Sequence, residues 1–127
     1  MTRIAVLGAN GRMGQAVTRL VLADQSLQLA GATTEPGHAT LGQDAGVLAG
    51  CGAAGVRLTD DLAAALAGCQ VAVDFTAPAA AATHAAACAA AGCALVMGTT
   101  GLGDREREAL AAAARRIPVV YSRNMSL

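Results

Sequence analysis

Lysine is absent from all 127 residues, as is tryptophan, and phenylalanine and tyrosine occur once each, at Phe75 and Tyr121. The nine basic residues are therefore all arginine, and nine acids balance them to a formal charge of zero. Such a balance gives no one-signed field of the kind that draws a protein to nucleic acid. With so few aromatics, the core has to come from Val, Leu, Ile, Ala and Met, and alanine lets helices lie close to a sheet. Cys51, Cys69, Cys88 and Cys93 form no CxxC pair and have no metal-like spacing with His38 or His84. The expectation is free, mostly buried thiols in a reducing cytoplasm, and no metal site. Long apolar runs are missing too. Ile4–Leu7 is too short for a secretory core, and Thr83 and His84 interrupt the alanine stretch from Ala79 to Ala91. These absences imply a soluble, cytoplasmic protein that binds neither nucleic acid nor membrane.

What is present is apolar, at 54% of the chain, and ordered as alternating strands and helices. Strands are predicted at Arg3–Leu7, Leu27–Thr33, Val71–Phe75, Ala94–Met97 and Pro118–Tyr121, with a short one at Val56–Leu58. A helix is predicted from Gly11 to about Ala23, with Met13, Ala16, Val17, Leu20 and Val21 on its apolar stripe. Glu35–Gly55 reads as loop with at most one short helix. Thr59 is the expected cap of a helix whose first turn holds Asp60 and Asp61 and which Gly68 stops. Thr76 is the expected cap of the alanine-rich helix, with Pro78 in its first turn and Gly92 at its end. A last helix opens on Asp104, Glu106 and Glu108 and closes on Arg115 and Arg116. Strands joined by crossover helices pair in parallel, so the fold class is α/β, an open, doubly wound parallel sheet in one domain over residues 1–127.

The first strand runs straight into Gly8-Ala9-Asn10-Gly11-Arg12-Met13-Gly14. In such a turn Gly8 permits the bend, Gly11 lets a pyrophosphate approach the backbone, and Gly14 lets the helix lie against the sheet. The helix N-terminus offers free N–H groups to the phosphates, and Arg12 adds a cationic fork at its mouth. The spacing is GxxGxxG, with Asn10 where the middle glycine of the commoner pattern stands. Strand before and helix after are the context that this fingerprint requires. Its second part is an acid at the tip of the second strand, where it accepts hydrogen bonds from the adenosine ribose; Glu35 lies about twenty residues on. Pro36 follows it and offers no cation for a 2′-phosphate, so NADH should be handled at least as well as NADPH.

GANGRMG, with VDFTAP (Val73–Pro78), VMGTTG (Val96–Gly101) and SRNMSL (Ser122–Leu127), resembles the dihydrodipicolinate reductases of lysine biosynthesis. The resemblance covers the whole chain. It implies the Rossmann-like NAD(P)H-binding domain of a two-domain, typically homotetrameric reductase acting on a cyclic dicarboxylate. Carried over by position, it puts the pyrophosphate on Gly8, Ala9, Asn10, Gly11, Arg12 and Met13 and the ribose on Glu35. Gly98, Thr99 and Thr100 would sit at the nicotinamide end, Ser122, Arg123, Asn124 and Met125 would line the cofactor, and Phe75 would pack near the same cleft. Family members often have an arginine where Pro36 stands.

The family's histidine-rich catalytic loop, with its lysine, follows the last of these motifs. The resemblance therefore implies cofactor binding without a proton donor in residues 1–127, truncated before the catalytic domain. The chain alone should be monomeric or weakly associated. His84, in the middle of the alanine helix, is expected on its outer side and His38 to be solvated, so no catalytic residue is assigned. An extended short-chain dehydrogenase shares GxxGxxG but needs a Tyr-x-x-x-Lys pair, which a chain without lysine cannot hold. A stand-alone NAD- or CoA-binding regulatory module is the other reading of the same motif.

Overall fold

Five apolar runs form strands in the computed structural model, which describes residues 1–121. The strands are β1 (Thr2–Leu7), β2 (Leu27–Ala32), β3 (Val71–Asp74), β4 (Ala94–Met97) and β5 (Val119–Tyr121), all parallel and in the order β2-β1-β3-β4-β5. Parallel neighbours cannot be joined by a tight turn, so helices cross over between them. These are α1 (Arg12–Ala23), α2 (Ala45–Leu48), α3 (Leu62–Leu66), α4 (Ala81–Ala91) and α5 (Asp104–Ala114).

Strand periodicity divides the core into two layers. Ala5, Leu7, Ala72, Leu95 and Met97 pack with α3, α4 and α5, whose Leu66, Ala85, Cys88, Leu110 and Ala113 are all buried. Ile4, Val6, Leu29 and Ala32 pack on the opposite face with Val21 of α1 and Ala45 of α2. Alanine makes the close approach possible on the first face, and Gly31 does so for β2, where a Cβ would overlap the Ala65 carbonyl of α3. On the second face cover thins toward one edge. In the paired row Val6, Val73, Val96, Val120, exposure rises from 0% at Val6 to 53% at Val120.

Several local expectations give way. The buried stripe of α1 is Gly14, Thr18 and Val21, while Leu20 is 70% exposed. Gly14, having no side chain, lies against Gly8, and the buried stripe follows from it. Val56–Leu58 forms no strand: its backbone bonds to the loop at Gly42–Ala45 and Thr59 takes up the end of β2, leaving two isolated bridges. Asp61, not Thr59, caps α3, by accepting from the Ala64 amide at 3.1 Å; Thr59 Oγ1 accepts from the Asp61 amide instead. Thr76 caps nothing, because a 3-10 turn at Pro78–Ala80 precedes α4 and the threonine hydroxyl is engaged elsewhere. Gly92 does stop α4, with φ +68 and its amide turned back to the last carbonyls. Arg115 stands at the C-cap of α5, and Glu106 accepts from the Gly103 amide at its start.

Candidate functional site

The strand order reverses between β1 and β3, since α1 carries the chain to one side and the later crossovers carry it to the other. Splayed loops open a crevice at such a point, beyond the carboxyl ends of the strands. Here a cleft of about 650 Å³ opens there. Gly8, Asn10 and Gly11 form one wall, Thr33 to Pro36 another, and Phe75, Thr76, Ala80, Thr83 and His84 a third.

The glycine wall is built by contact. Gly8 has φ +77, and a Cβ there would stand 2.5 Å from Thr76 Cγ2. A Cβ at Gly14 would overlap the carbonyl oxygen of Gly8, so the first turn of α1 is clamped to the end of β1. Gly11 is open to the cleft, its one neighbour being the Gly8 carbonyl 3.6 Å from the Cβ position. Among the described residues no side chain caps α1, and no acid lies in its first turn. Its leading amides and the positive end of its dipole are therefore available to an anion. Ala9 is buried beneath the turn, Met13 is half-buried, and Arg12 stands exposed at the first helical position.

Glu35 is exposed on the opposite wall, where Asn10 Nδ2 donates to its Oε1 at 3.3 Å. Beside it, Thr34 is buried and its hydroxyl has no partner among the described residues. His38 is not the solvated loop residue expected: it is half-buried, with Nε2 3.3 Å from Asn10 Nδ2 and Nδ1 2.8 Å from Thr40 Oγ1.

The third wall holds a group that the motif reading missed. Asp74, fully buried at the end of β3, accepts from the Thr76 amide at 2.9 Å and the Thr76 hydroxyl at 2.6 Å. His84 Nδ1 lies 2.6 Å from its other oxygen, and the histidine side chain is only 12% exposed. His84 thus faces inward, against expectation. The signal was present in the helix period: Ala81, His84, Ala85 and Cys88 fall on one stripe, and the last alternating residue of β3 points at it. A carboxylate with three donors is satisfied in the core, and it anchors the imidazole at the edge of the cleft.

Phe75 lines the cleft, while Gly98 and Thr99 lie behind it. A Cβ at Gly98 would overlap the Phe75 ring, and Thr99 Oγ1 donates to the Thr76 carbonyl at 2.8 Å. Thr100 is exposed. Ser122, Arg123, Asn124 and Met125 lie outside the described residues.

Among the described residues no three His, Cys, Asp or Glu side chains are grouped to hold a metal. Cys69, Cys88 and Cys93 are buried and all four thiols are free. A hydrogen bond with Cys93, and then burial, push the Cys88 thiol far up, so it is no nucleophile. No helix of the described residues is long and apolar enough to cross a membrane.

A family model described as the N-terminus of dihydrodipicolinate reductase matches residues 2–125. The chain is 53% identical, over its whole length, to 4-hydroxy-tetrahydrodipicolinate reductase of Anaeromyxobacter sp. (strain Fw109-5), of which it covers 47%. Among solved structures it is similar to an amine dehydrogenase from Mycobacterium smegmatis, at 31% identity and TM-score 0.67, over 76% of this chain and 29% of that one. The dipicolinate-bound dihydrodipicolinate reductase from Paenisporosarcina sp. TG-14 shares the fold, at TM-score 0.70 and 22% identity, over 90% of this chain and 43% of that one. The chain spans about half the length of the curated relatives it matches.

Proposed function

Because the chain belongs to the dihydrodipicolinate reductase family, matching its amino-terminal part, we propose that it is the cofactor-holding domain of such a reductase. The cofactor is NADH or NADPH, and the complete protein, a homotetramer, acts on a cyclic dicarboxylate in the diaminopimelate route to lysine. One observation carries the reading: the cleft at the strand-order reversal has uncapped helix amides on one wall and a carboxylate on the other. The residues fit a dinucleotide, since Gly8 and Gly14 hold the turn closed where a Cβ would pry it open and Gly11 leaves room for phosphate.

In this reading the turn from Gly8 to Met13 binds the pyrophosphate through the amides of Asn10, Arg12 and Met13, those of Gly8, Ala9 and Gly11 being bonded within the fold, with the Arg12 side chain reaching its outer oxygens. Glu35 accepts from the adenosine ribose hydroxyls. Phe75, Gly98, Thr99 and Thr100, with Ser122 to Met125, form the nicotinamide end. Bound there, the cofactor supplies a hydride. Residues 1–127 bind it and do not turn over alone, because they contain no lysine and both histidines are hydrogen-bonded within the fold.

Titration calorimetry with NADH, NADPH and coenzyme A tests this. The expected result is saturable NADH binding, weakened about tenfold by Glu35→Ala through loss of hydrogen bonds to a charged acceptor. Binding of coenzyme A alone, unaffected by that substitution, would instead make the chain a regulatory module.

A further inference from the structure

Pro36 stands where a cation would recognise a 2′-phosphate, yet it has a task of its own. The His38 amide donates to the Glu35 carbonyl at 3.2 Å, and Gly37 between them has φ +77. Proline in the second place and a left-handed glycine in the third define a type II turn. The turn folds the chain back, so that the imidazole of His38 returns to the wall that Glu35 has just left. There one nitrogen, Asn10 Nδ2, lies 3.3 Å from both Glu35 Oε1 and His38 Nε2.

An NH₂ group has two hydrogens, so Asn10 can donate to both partners only if Nε2 is an acceptor. The ring proton is then on Nδ1, which donates to Thr40 Oγ1 at 2.8 Å, and the Thr40 amide 3.1 Å away gives up its bond to that nitrogen. In the other tautomer Nδ1 accepts from the Thr40 amide at 3.1 Å, and an N–H at Nε2 confronts the Asn10 donor. Relief of that clash rotates the amide and sets its oxygen against the Glu35 carboxylate. The tautomer of His38 and the placement of Glu35 are therefore one decision.

We propose that His38 is a positioning residue that, through Asn10, holds the Glu35 carboxylate toward the cleft and makes the site prefer a ribose with a free 2′-hydroxyl to one with a 2′-phosphate. The proposal rests on the dinucleotide reading above. Glu35 is otherwise an exposed side chain, free to swing aside. Fixed, it accepts from the hydroxyl and repels a phosphate; released, it does neither well.

The test compares NADH and NADPH affinities in the wild-type protein, His38→Leu, His38→Gln and Glu35→Ala. Leucine removes the acceptor, whereas glutamine can set its side-chain oxygen where Nε2 stands. The expected outcome for His38→Leu is a fall of about tenfold in the ratio of NADH to NADPH affinity, with His38→Gln restoring most of it. Nitrogen NMR of the wild-type imidazole should show the proton on Nδ1 in the NADH complex. A parallel loss for both cofactors in His38→Leu, or no change in either, would overturn the proposal by leaving His38 a loop residue only. If Glu35→Ala shifts NADH affinity while His38→Leu leaves the ratio intact, this proposal alone falls. If the wild-type protein binds neither cofactor, the dinucleotide reading falls with it.

Discussion

A methyl group on Gly14 would meet the carbonyl oxygen of Gly8, and neither atom can move without parting α1 from β1. Gly14→Ala is therefore expected to lower thermal stability and to abolish dinucleotide binding in the folded fraction, read by melting curves with and without NADH. Gly98→Ala acts differently, because the atom it meets is a side-chain ring. The Phe75 ring must turn into the cleft, so binding weakens more than the melting point falls. The roles of Gly8 and Gly14 were legible in the sequence, since a motif with strand before and helix after dictates close contacts; the contact of Gly98 with Phe75 was not. The environments of His84 and His38 were not. The period of α4 carried the inward direction of His84, but its partner, Asp74, lies on another element. With His38, the Pro-Gly turn was readable but the Asn10 amide it reaches is 28 residues distant in the chain.

Short elements on this scaffold depend on single carboxylates. Asp44 accepts from the amides of Gly46, Val47, Ala54 and Gly55, and so caps α2 while fastening the loop that returns to it. These bonds, that from Ala54 foremost, hold its carboxyl below the ordinary range. A depressed value means that the folded state gains from ionisation above the unfolded pKa and loses that gain as pH falls through the folded one. Urea midpoints measured from neutral to acid pH should therefore separate wild-type from Asp44→Asn at neutrality and converge in acid. Asp74 and His84 join β3 to α4 in the same way. His84→Leu leaves a buried carboxylate short of a donor, a loss on the order of 1–3 kcal/mol by chemical denaturation. The long elements were placed correctly from period and flanking residues, although the buried stripe of α1 and the start of α4 differ from the expectation. Val56–Leu58 was not, because a three-residue run at a sheet edge is decided by which backbone groups remain free.

For the whole molecule, parallel pairing in a doubly wound sheet followed from the alternation of strand and helix, whereas the strand order and its reversal between β1 and β3 come from the structure. Ligand linkage then gives a test at the same scale: NADH at a hundred times its dissociation constant should add about 2.7 kcal/mol to unfolding, and the tenfold weakening expected of Glu35→Ala should remove about half of that increment at the same NADH concentration. The interior place of β1 has one more effect. Its two neighbours are β2 and β3, and the second of these begins at Val71. A ribosome delivers β1 first, yet no local hairpin can secure it, and its far side stays bare until more than half of this chain has emerged. Thr76, which crowds Gly8 into its bend, arrives later still. The anion cradle is thus encoded at Gly8–Gly14 but completed only when Thr76 is in place, so that capture of a nucleotide reports that β3 has docked beside β1.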